Sequence, residues 1–223
     1  MPTVPRQLAL ALDHAESFAR EDFLSGPSNA QALALVEAWP QWPHRSVMLT
    51  GPEGSGKSHL AAIWAQAAGA RLIAARALEP ASVPRALATG ALVVEDIAAG
   101  AFDERALFHL VNLAREEAAF LLLTAQEAPA AFALRDLASR LKALPVVALA
   151  PPDDVLLRAV LVKLFADRQL AVDESLVGYL ATHIERSFAA ARACVARLDQ
   201  EAMRQQRPLT RALAAELLRT EDS

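Results

Sequence analysis

The chain has 223 residues and a formal net charge of −4, and 54% of its residues are hydrophobic while 5% are aromatic. This length suits one sizeable domain with or without a small second one, and the apolar content excludes a disordered chain. Because positive charge is not in excess, direct nucleic-acid binding over a broad basic surface is not expected. No apolar run reaches the ~18 residues that a membrane span needs, and the single cysteine, Cys194, cannot form a disulfide within the chain. We therefore expect a cytoplasmic protein that does not associate with membranes.

In chain order, the first predicted elements indicate an α/β core. Residues 23–40 are typical of a turn followed by a helix. Short apolar runs then alternate with segments of helical length. These runs occupy residues 46–50, 71–75, 91–94, 120–124 and 145–150. Short continuous runs are typical of strands buried on both faces, so the alternation predicts a parallel sheet of five strands.

From Pro151 onward the pattern is helical. Helices are expected over roughly 153–168, 173–184, 187–205 and 210–219. Their expected N-cap residues are Asp153, Asp173, Ser187 and Thr210. The predicted organisation is an N-terminal peptide over 1–17, a nucleotide-binding α/β core over 18–150 and an all-helical part over 151–223.

The segment GPEGSGKS fits the phosphate-binding pattern G-x-x-x-x-G-K-[ST], with an apolar strand before it and a helix after it. Its glycines let the backbone turn so that successive N–H groups face phosphate oxygens, and the helix adds its positive end. Lys57 supplies a cation to the β and γ phosphates, and the Ser58 hydroxyl reaches Mg²⁺. The predicted cradle comprises Gly51, Pro52, Glu53, Gly54, Ser55, Gly56, Lys57 and Ser58, with His59 beside it. We expect His59 to pack rather than to act as a base.

Two acids, Glu95 and Asp96, follow the third apolar run. One would hold the magnesium ion, directly or through water, and the other would polarise the attacking water. We assign the metal to Glu95 and the catalytic role to Asp96. Exposed acids that only cap a strand are the alternative. Thr124 and Gln126, at the end of the next run, are placed to sense a γ-phosphate or to orient water.

The ordered set of GPEGSGKSHL, LVVEDI, LLLTAQ and LRDLASRL, followed by helices, resembles the AAA+ ATPases. More narrowly, residues 23–38, 136–154 and 161–181 are similar to the nucleotide-binding part of the DnaA family, and the resemblance covers about residues 18–205. It implies an AAA+ P-loop core with a small helical lid that binds ADP or ATP with Mg²⁺.

The same resemblance implies an arginine that reaches the γ-phosphate held by a neighbouring subunit. The segment DLASRL places this residue at Arg140 and not at the nearby Arg135. Its guanidinium would stabilise charge on the transferring phosphoryl group, an effect worth ~10³–10⁵ in rate in related reactions. Pairing of Arg140 with an acid on its own helix is the structural alternative.

Two positions depart from the family pattern. The first strand-end acid is Glu95, one methylene longer than the family's Asp, which puts vigorous hydrolysis by this chain in doubt. The lid position that carries an arginine in the family falls on Ala189, while Arg186 and Arg192 lie one helical turn to either side and could substitute. A site of this kind is better suited to holding ADP than to turning over ATP.

The N-terminal residues Gln7, Leu8, Leu10 and Leu12 resemble the Q-L-x-L-x-L/F peptide that docks on the bacterial sliding clamp. The arrangement is similar to the Hda-type, clamp-dependent regulators of DnaA, with a core amphipathic turn as the alternative. The expected partners are the DNA polymerase sliding clamp and DnaA, with DNA contacted mainly through the clamp and a homodimer left open. A regulator with weak or no ATPase activity of its own therefore competes with a self-contained AAA+ ATPase such as a helicase loader.

Overall fold

The computed structural model describes residues 18–128 and 132–219. These residues divide into two compact units, one from Phe18 to Asp153 and one from Asp154 onward. Strands and helices alternate in the first unit, and the regular elements of the second are helices. Within the described part of the chain, no helix combines the length and the apolar character needed to cross a membrane.

The sheet of the first unit is built from parallel strands. Their bounds are Ser46–Thr50 (β1), Arg71–Ala74 (β2), Ala91–Ile97 (β3), Phe120–Ala125 (β4) and Val146–Ala148 (β5). The order across the sheet is β2-β3-β4-β1-β5, and every neighbouring pair is parallel. Each apolar run in the sequence thus contains a strand, and the predicted α/β fold with a five-stranded parallel sheet is confirmed.

Helices cover both faces of this sheet. They are Ala30–Glu37 (α1), Lys57–Ala68 (α2), Val83–Ala86 (α3), Glu104–Glu116 (α4) and Arg135–Lys142 (α5). Short 3₁₀ turns lie at Arg20–Asp22, Ala75–Ala77 and Pro80–Ser82. The side chains of a strand alternate between its faces. Val47 and Leu49 of β1 therefore pack into the core beneath α1 and α2, while Met48 packs into the core beneath α4 and α5. Both faces of the strand are buried, which explains why its sequence is a continuous apolar run.

The second unit contains four helices among the described residues. They are Asp154–Asp167 (α6), Glu174–His183 (α7), Phe188–Gln205 (α8) and Arg211–Arg219 (α9). The Asp173 carboxylate accepts the Leu176 N–H at 2.8 Å, and the Ser187 hydroxyl accepts the Ala190 N–H at 3.0 Å. These two predicted N-caps are confirmed. The unit has a core of its own, which includes Leu157, Phe165, Leu180, Val195 and Leu198.

Candidate functional site

The GPEGSGKS segment forms the turn between β1 and α2, and two neighbouring segments hold it. The Gly51 N–H donates to the Gln126 carbonyl at 3.0 Å. A Cβ on Gly51, where φ is +151°, would lie 2.5 Å from the Leu149 carbonyl oxygen. Gly56 adopts a φ of +99° directly before α2, a left-handed conformation that favours glycine. The turn is therefore narrow because the backbone after β4 and β5 approaches it closely.

Lys57 begins α2 and lies over this turn. Its ammonium donates to the carbonyl oxygens of Gly51 and Pro52, each at 2.8 Å, and the residue is only 8% exposed. Burial lowers the pKa of Lys57, and nearby carboxylates oppose that shift. In order of effect, these carboxylates are those of Asp96, Glu53 and Glu95. The Lys57 ammonium and these three carboxylates therefore lie near one another at one end of the sheet.

The amino end of α2 supplies further hydrogen-bond donors. The first-turn amides of a helix have no carbonyl partner within the helix, and their dipoles sum to a partial positive charge. Ser58 lies in this turn and is exposed. The Ser55 hydroxyl is buried in the loop and has no hydrogen-bond partner among the described residues. A buried polar atom of this kind is normally satisfied by a water molecule or a ligand, so the cradle fits a phosphate chain.

The two predicted acids lie at a break in β3. The register with β4 shifts between Val94 and Ile97, and Asp96 has a φ of +60°. One Glu95 carboxylate oxygen is buried without a partner among the described residues, while Asp96 is exposed. In a regular strand, consecutive side chains point to opposite faces, and a bulge changes that pattern. The break therefore allows both carboxylates to act on Lys57, as the electrostatics indicate.

Thr124 supports this acidic turn. Its side-chain oxygen accepts the Asp96 N–H at 3.1 Å, and the residue is 1% exposed. Gln126, the other polar residue predicted at this strand end, holds the loop through its backbone carbonyl while its side chain is exposed. The role of Thr124 toward a phosphate stays a prediction. Its bond to Asp96 could not be foreseen, because it joins residues 28 positions apart.

The described residues of the site offer a partial set of metal ligands. The described residues include no group of three or more His, Cys, Asp or Glu side chains arranged around a common point. Magnesium is usually bound by one or two carboxylates together with phosphate oxygens and water. Ser58 with Glu95 or Asp96 fits that partial donor set, in which the nucleotide completes the coordination.

His59 packs against the segment that precedes α1. Its Nε2 lies 3.0 Å from the Ala19 carbonyl oxygen, and its ring meets those of Phe18 and Phe23 edge to face. These contacts agree with the expected packing role, and its membership of the phosphate cradle stays a prediction.

Arg140 lies in the last turn of α5, and its guanidinium stacks on an aromatic ring. The guanidinium carbon lies 5.3 Å from the centre of the Phe108 ring. Among the described residues, Arg140 has no side-chain hydrogen bond or ion pair, so Asp136 on the same helix does not neutralise it. Arg135, the nearby arginine to which the in-trans role is not assigned, is exposed at the start of the helix. The chain runs from α5 to the amino end of β5, whereas the phosphate cradle follows the carboxyl end of β1.

The candidate lid arginines differ in their contacts within the second unit. Arg186 precedes α8 and forms an ion pair with Asp154, with 2.8 Å between nitrogen and oxygen. Arg192 is half-buried on α8, and Ala189 lies in the first turn of that helix. The pair with Asp154 is exposed, so its strength is low and Arg186 could exchange it for a ligand. The assignment of Arg186 or Arg192 to a nucleotide stays a prediction.

The predicted clamp-docking residues, Gln7, Leu8, Leu10 and Leu12, lie outside the described residues. Their role stays a prediction.

Comparisons with known proteins show the fold. No protein-family model matches the chain, and no curated protein sequence matches it. Domain III of the Thermotoga maritima replication initiation protein DnaA matches with a TM-score of 0.75 at 18% identity, covering 91% of this chain and 96% of that chain. The Thermotoga maritima RuvB Holliday junction branch migration motor matches with a TM-score of 0.72 at 14% identity, covering 92% of this chain and 72% of that chain. AMPPCP-bound DnaA from Aquifex aeolicus matches with a TM-score of 0.64 at 18% identity, covering 82% of this chain and 65% of that chain. The chain therefore shares the fold of DnaA domain III and of RuvB.

Proposed function

We propose that the chain binds ADP or ATP, together with Mg²⁺, in the cradle formed by residues 51–58. The position of Lys57 supports this proposal, because among the described residues its ammonium donates hydrogen bonds to two backbone carbonyls and to no carboxylate, and it can move from those carbonyls to phosphate oxygens. The unpartnered Ser55 hydroxyl and the amino end of α2 provide the remaining donors. A protein of the same fold, DnaA from Aquifex aeolicus, is described as bound to the nucleotide analogue AMPPCP.

Each residue of the cradle would have a separate task in binding. Lys57 would neutralise the terminal phosphates, and Ser58 and Glu95 would hold the magnesium ion, whose chemistry is to withdraw charge from phosphate oxygens. Asp96 would polarise the attacking water, and Thr124 holds the Asp96 backbone in place by accepting its N–H. Gly51 leaves room for the backbone around Leu149.

We further propose that the chain regulates replication initiation, as an Hda-type protein does, by accelerating ATP hydrolysis on DnaA. The observation that carries this proposal is the guanidinium of Arg140, which among the described residues forms no hydrogen bond or ion pair and lies over the ring of Phe108. A half-buried arginine without a carboxylate partner is available to a second molecule. Arginine suits the task because its planar fork matches phosphoryl oxygens and it stays charged at any working pH.

The N-terminal peptide would bring Arg140 close to the ATP that DnaA holds. Gln7, Leu8, Leu10 and Leu12 would dock on the sliding clamp, so that the chain meets DnaA at DNA carrying a clamp. Contact with DNA is then mainly indirect. The local concentration of the two partners rises without any new contact between them.

The test is the conversion of DnaA-bound radiolabelled ATP to ADP in the presence of clamp-loaded DNA. Wild type should accelerate this conversion, and Arg140→Ala should not, although it should bind ADP and clamp normally. Arg135→Ala is the matched control and should behave as wild type. Arg140→Lys should rescue little, since a point charge does not reproduce the fork. Full stimulation by Arg140→Ala would refute the in-trans role.

A second candidate function is a self-contained ATPase, and the acidic turn favours it. Glu95, Asp96 and Thr124 lie together near Lys57, which is the arrangement that hydrolysis in the chain's own site would need. Measuring ATP hydrolysis by the isolated chain decides between the two. Brisk hydrolysis that Asp96→Asn abolishes, without any effect of wild type on DnaA, would replace the regulator by this second function.

A further inference from the structure

The helix that carries Arg140 is held in place by few contacts of its own. The eight residues of α5 bury only two side chains, Leu137 and Leu141. Helices this short are marginal in isolation, so their position depends on tertiary contacts. The residue at its N-cap, Leu134, has no side-chain acceptor with which to hold the helix start.

The Glu104 carboxylate on α4 provides the hydrogen-bond acceptor that the Leu134 side chain lacks. The two oxygens of Glu104 accept the N–H groups of Ala133 and Leu134, at 3.1 Å and 2.7 Å respectively. A negative charge at the amino end of a helix is also favourable toward the helix dipole. Phe102 and Phe132 add an edge-to-face ring contact beside this bond. Hydrogen bonds and a ring contact therefore hold the start of α5 against the start of α4.

The other end of α5 rests on the same helix. Phe108 follows Glu104 by four residues on α4, so the two side chains lie on one face. The Phe108 ring packs partly into the core, and it presents a face to the Arg140 guanidinium at 5.3 Å. A ring face attracts a cation and limits the rotamers that a long side chain adopts.

Building on the in-trans role of Arg140, we propose that Glu104 and Phe108 are positioning residues that preset this guanidinium for the phosphoryl group of a nucleotide on a neighbouring AAA+ subunit. Glu104 sets the position of the helix, and Phe108 sets the direction of the side chain. Neither residue needs to touch the partner. Small displacements of a reacting group are costly in phosphoryl transfer, which depends on alignment.

The kinetic test measures DnaA-bound ATP hydrolysis over a range of concentrations of the chain. Phe108→Leu keeps the apolar packing and removes the ring face, and Glu104→Ala removes the carboxylate. Each should lower the maximal stimulated rate by about tenfold and leave the half-saturating concentration unchanged. Phe108→Tyr, which keeps the ring, should restore the rate. Glu116→Ala is the matched control, because Glu116 is an exposed acid at the other end of α4.

A spectroscopic test follows the guanidinium without DnaA. In wild type, the Arg140 Nε–H proton resonance should be shifted upfield by the Phe108 ring, and Arg140→Lys assigns the signal. Phe108→Leu should abolish the shift, and Phe108→Tyr should retain it. Melting curves with and without ADP show that each variant is folded.

The outcomes separate the positioning role from the proposed function. A higher half-saturating concentration with an unchanged maximal rate would make Phe108 part of the docking surface and would overturn the positioning role. Normal stimulation by both Phe108→Leu and Glu104→Ala, or an unshifted Arg140 resonance in wild type, would also overturn it while leaving the regulator intact. Failure of wild type to stimulate DnaA would overturn both.

Discussion

Replacing Lys57 by Ala should remove about half or more of the stabilisation that ADP gives to the chain. Its ammonium lies 2.8 Å from the carbonyl oxygens of both Gly51 and Pro52, so the cation is already placed at the loop rather than in solvent. Its loss leaves the phosphates without their nearest cation, and we expect ADP affinity to fall tenfold or more, which is ~1.4 kcal/mol per decade.

Thermal melting measures this loss of ADP affinity as a smaller ADP-dependent rise in Tm. ADP at a hundred times its Kd stabilises the native state by ~2.7 kcal/mol, and a domain of this size gains ~2–4 °C in Tm per kcal/mol. The wild-type Tm should therefore rise by ~5–11 °C. At the same ADP concentration, a tenfold loss of affinity leaves ~1.4 kcal/mol, and a hundredfold loss leaves ~0.4 kcal/mol.

The control for this prediction is Lys142→Ala, which removes an exposed lysine at the end of α5. Its Tm should rise with ADP as that of wild type does. An ADP-dependent shift of equal size in wild type and Lys57→Ala would refute the assignment of the phosphate cradle.

Three further predictions concern the packing around the site and the second unit. Gly51→Ala should destabilise the first unit by about 2–3 kcal/mol, because the new Cβ would meet a backbone oxygen at 2.5 Å; Gly100→Ala, where nothing lies within 4 Å, should cost less in urea titrations. Thr124→Val should leave the Asp96 N–H without its acceptor and lower ADP binding less than Lys57→Ala does, as measured by calorimetry. Burial raises the pKa of Cys194 to about 11, so its thiol should resist alkylation at pH 8 in the native protein and react quickly in urea. Fast native alkylation would contradict that burial.

Much of the fold could be predicted because its signals are local. Continuous apolar runs marked the strands, since parallel strands are buried on both faces. The helices of the second unit followed from periodicity and from caps such as Asp173 and Ser187, each of which accepts an N–H three residues further along the chain. The phosphate turn was recognisable because its glycine conformations and its lysine belong to one short segment.

Contacts between distant segments could not be predicted in this way. The apolar run 91–94 gave no sign that β3 continues to Ile97 through a break at Asp96, because the break is tied to Thr124 on another strand. The hydrogen bond from the Leu134 N–H to the Glu104 carboxylate spans 30 positions. The pairing of Arg140 with Phe108 rather than with an acid is likewise a matter of how α4 and α5 pack.

The most direct test of the account is the nucleotide that the purified chain releases when it is denatured. The measurement is made on wild type and on Lys57→Ala, each before and after incubation with excess MgATP. Wild type should release close to one equivalent of adenine nucleotide per chain, with ADP predominant and slow turnover of added ATP, and the variant should release much less. No nucleotide in wild type, together with no uptake of added ADP or ATP, would contradict it.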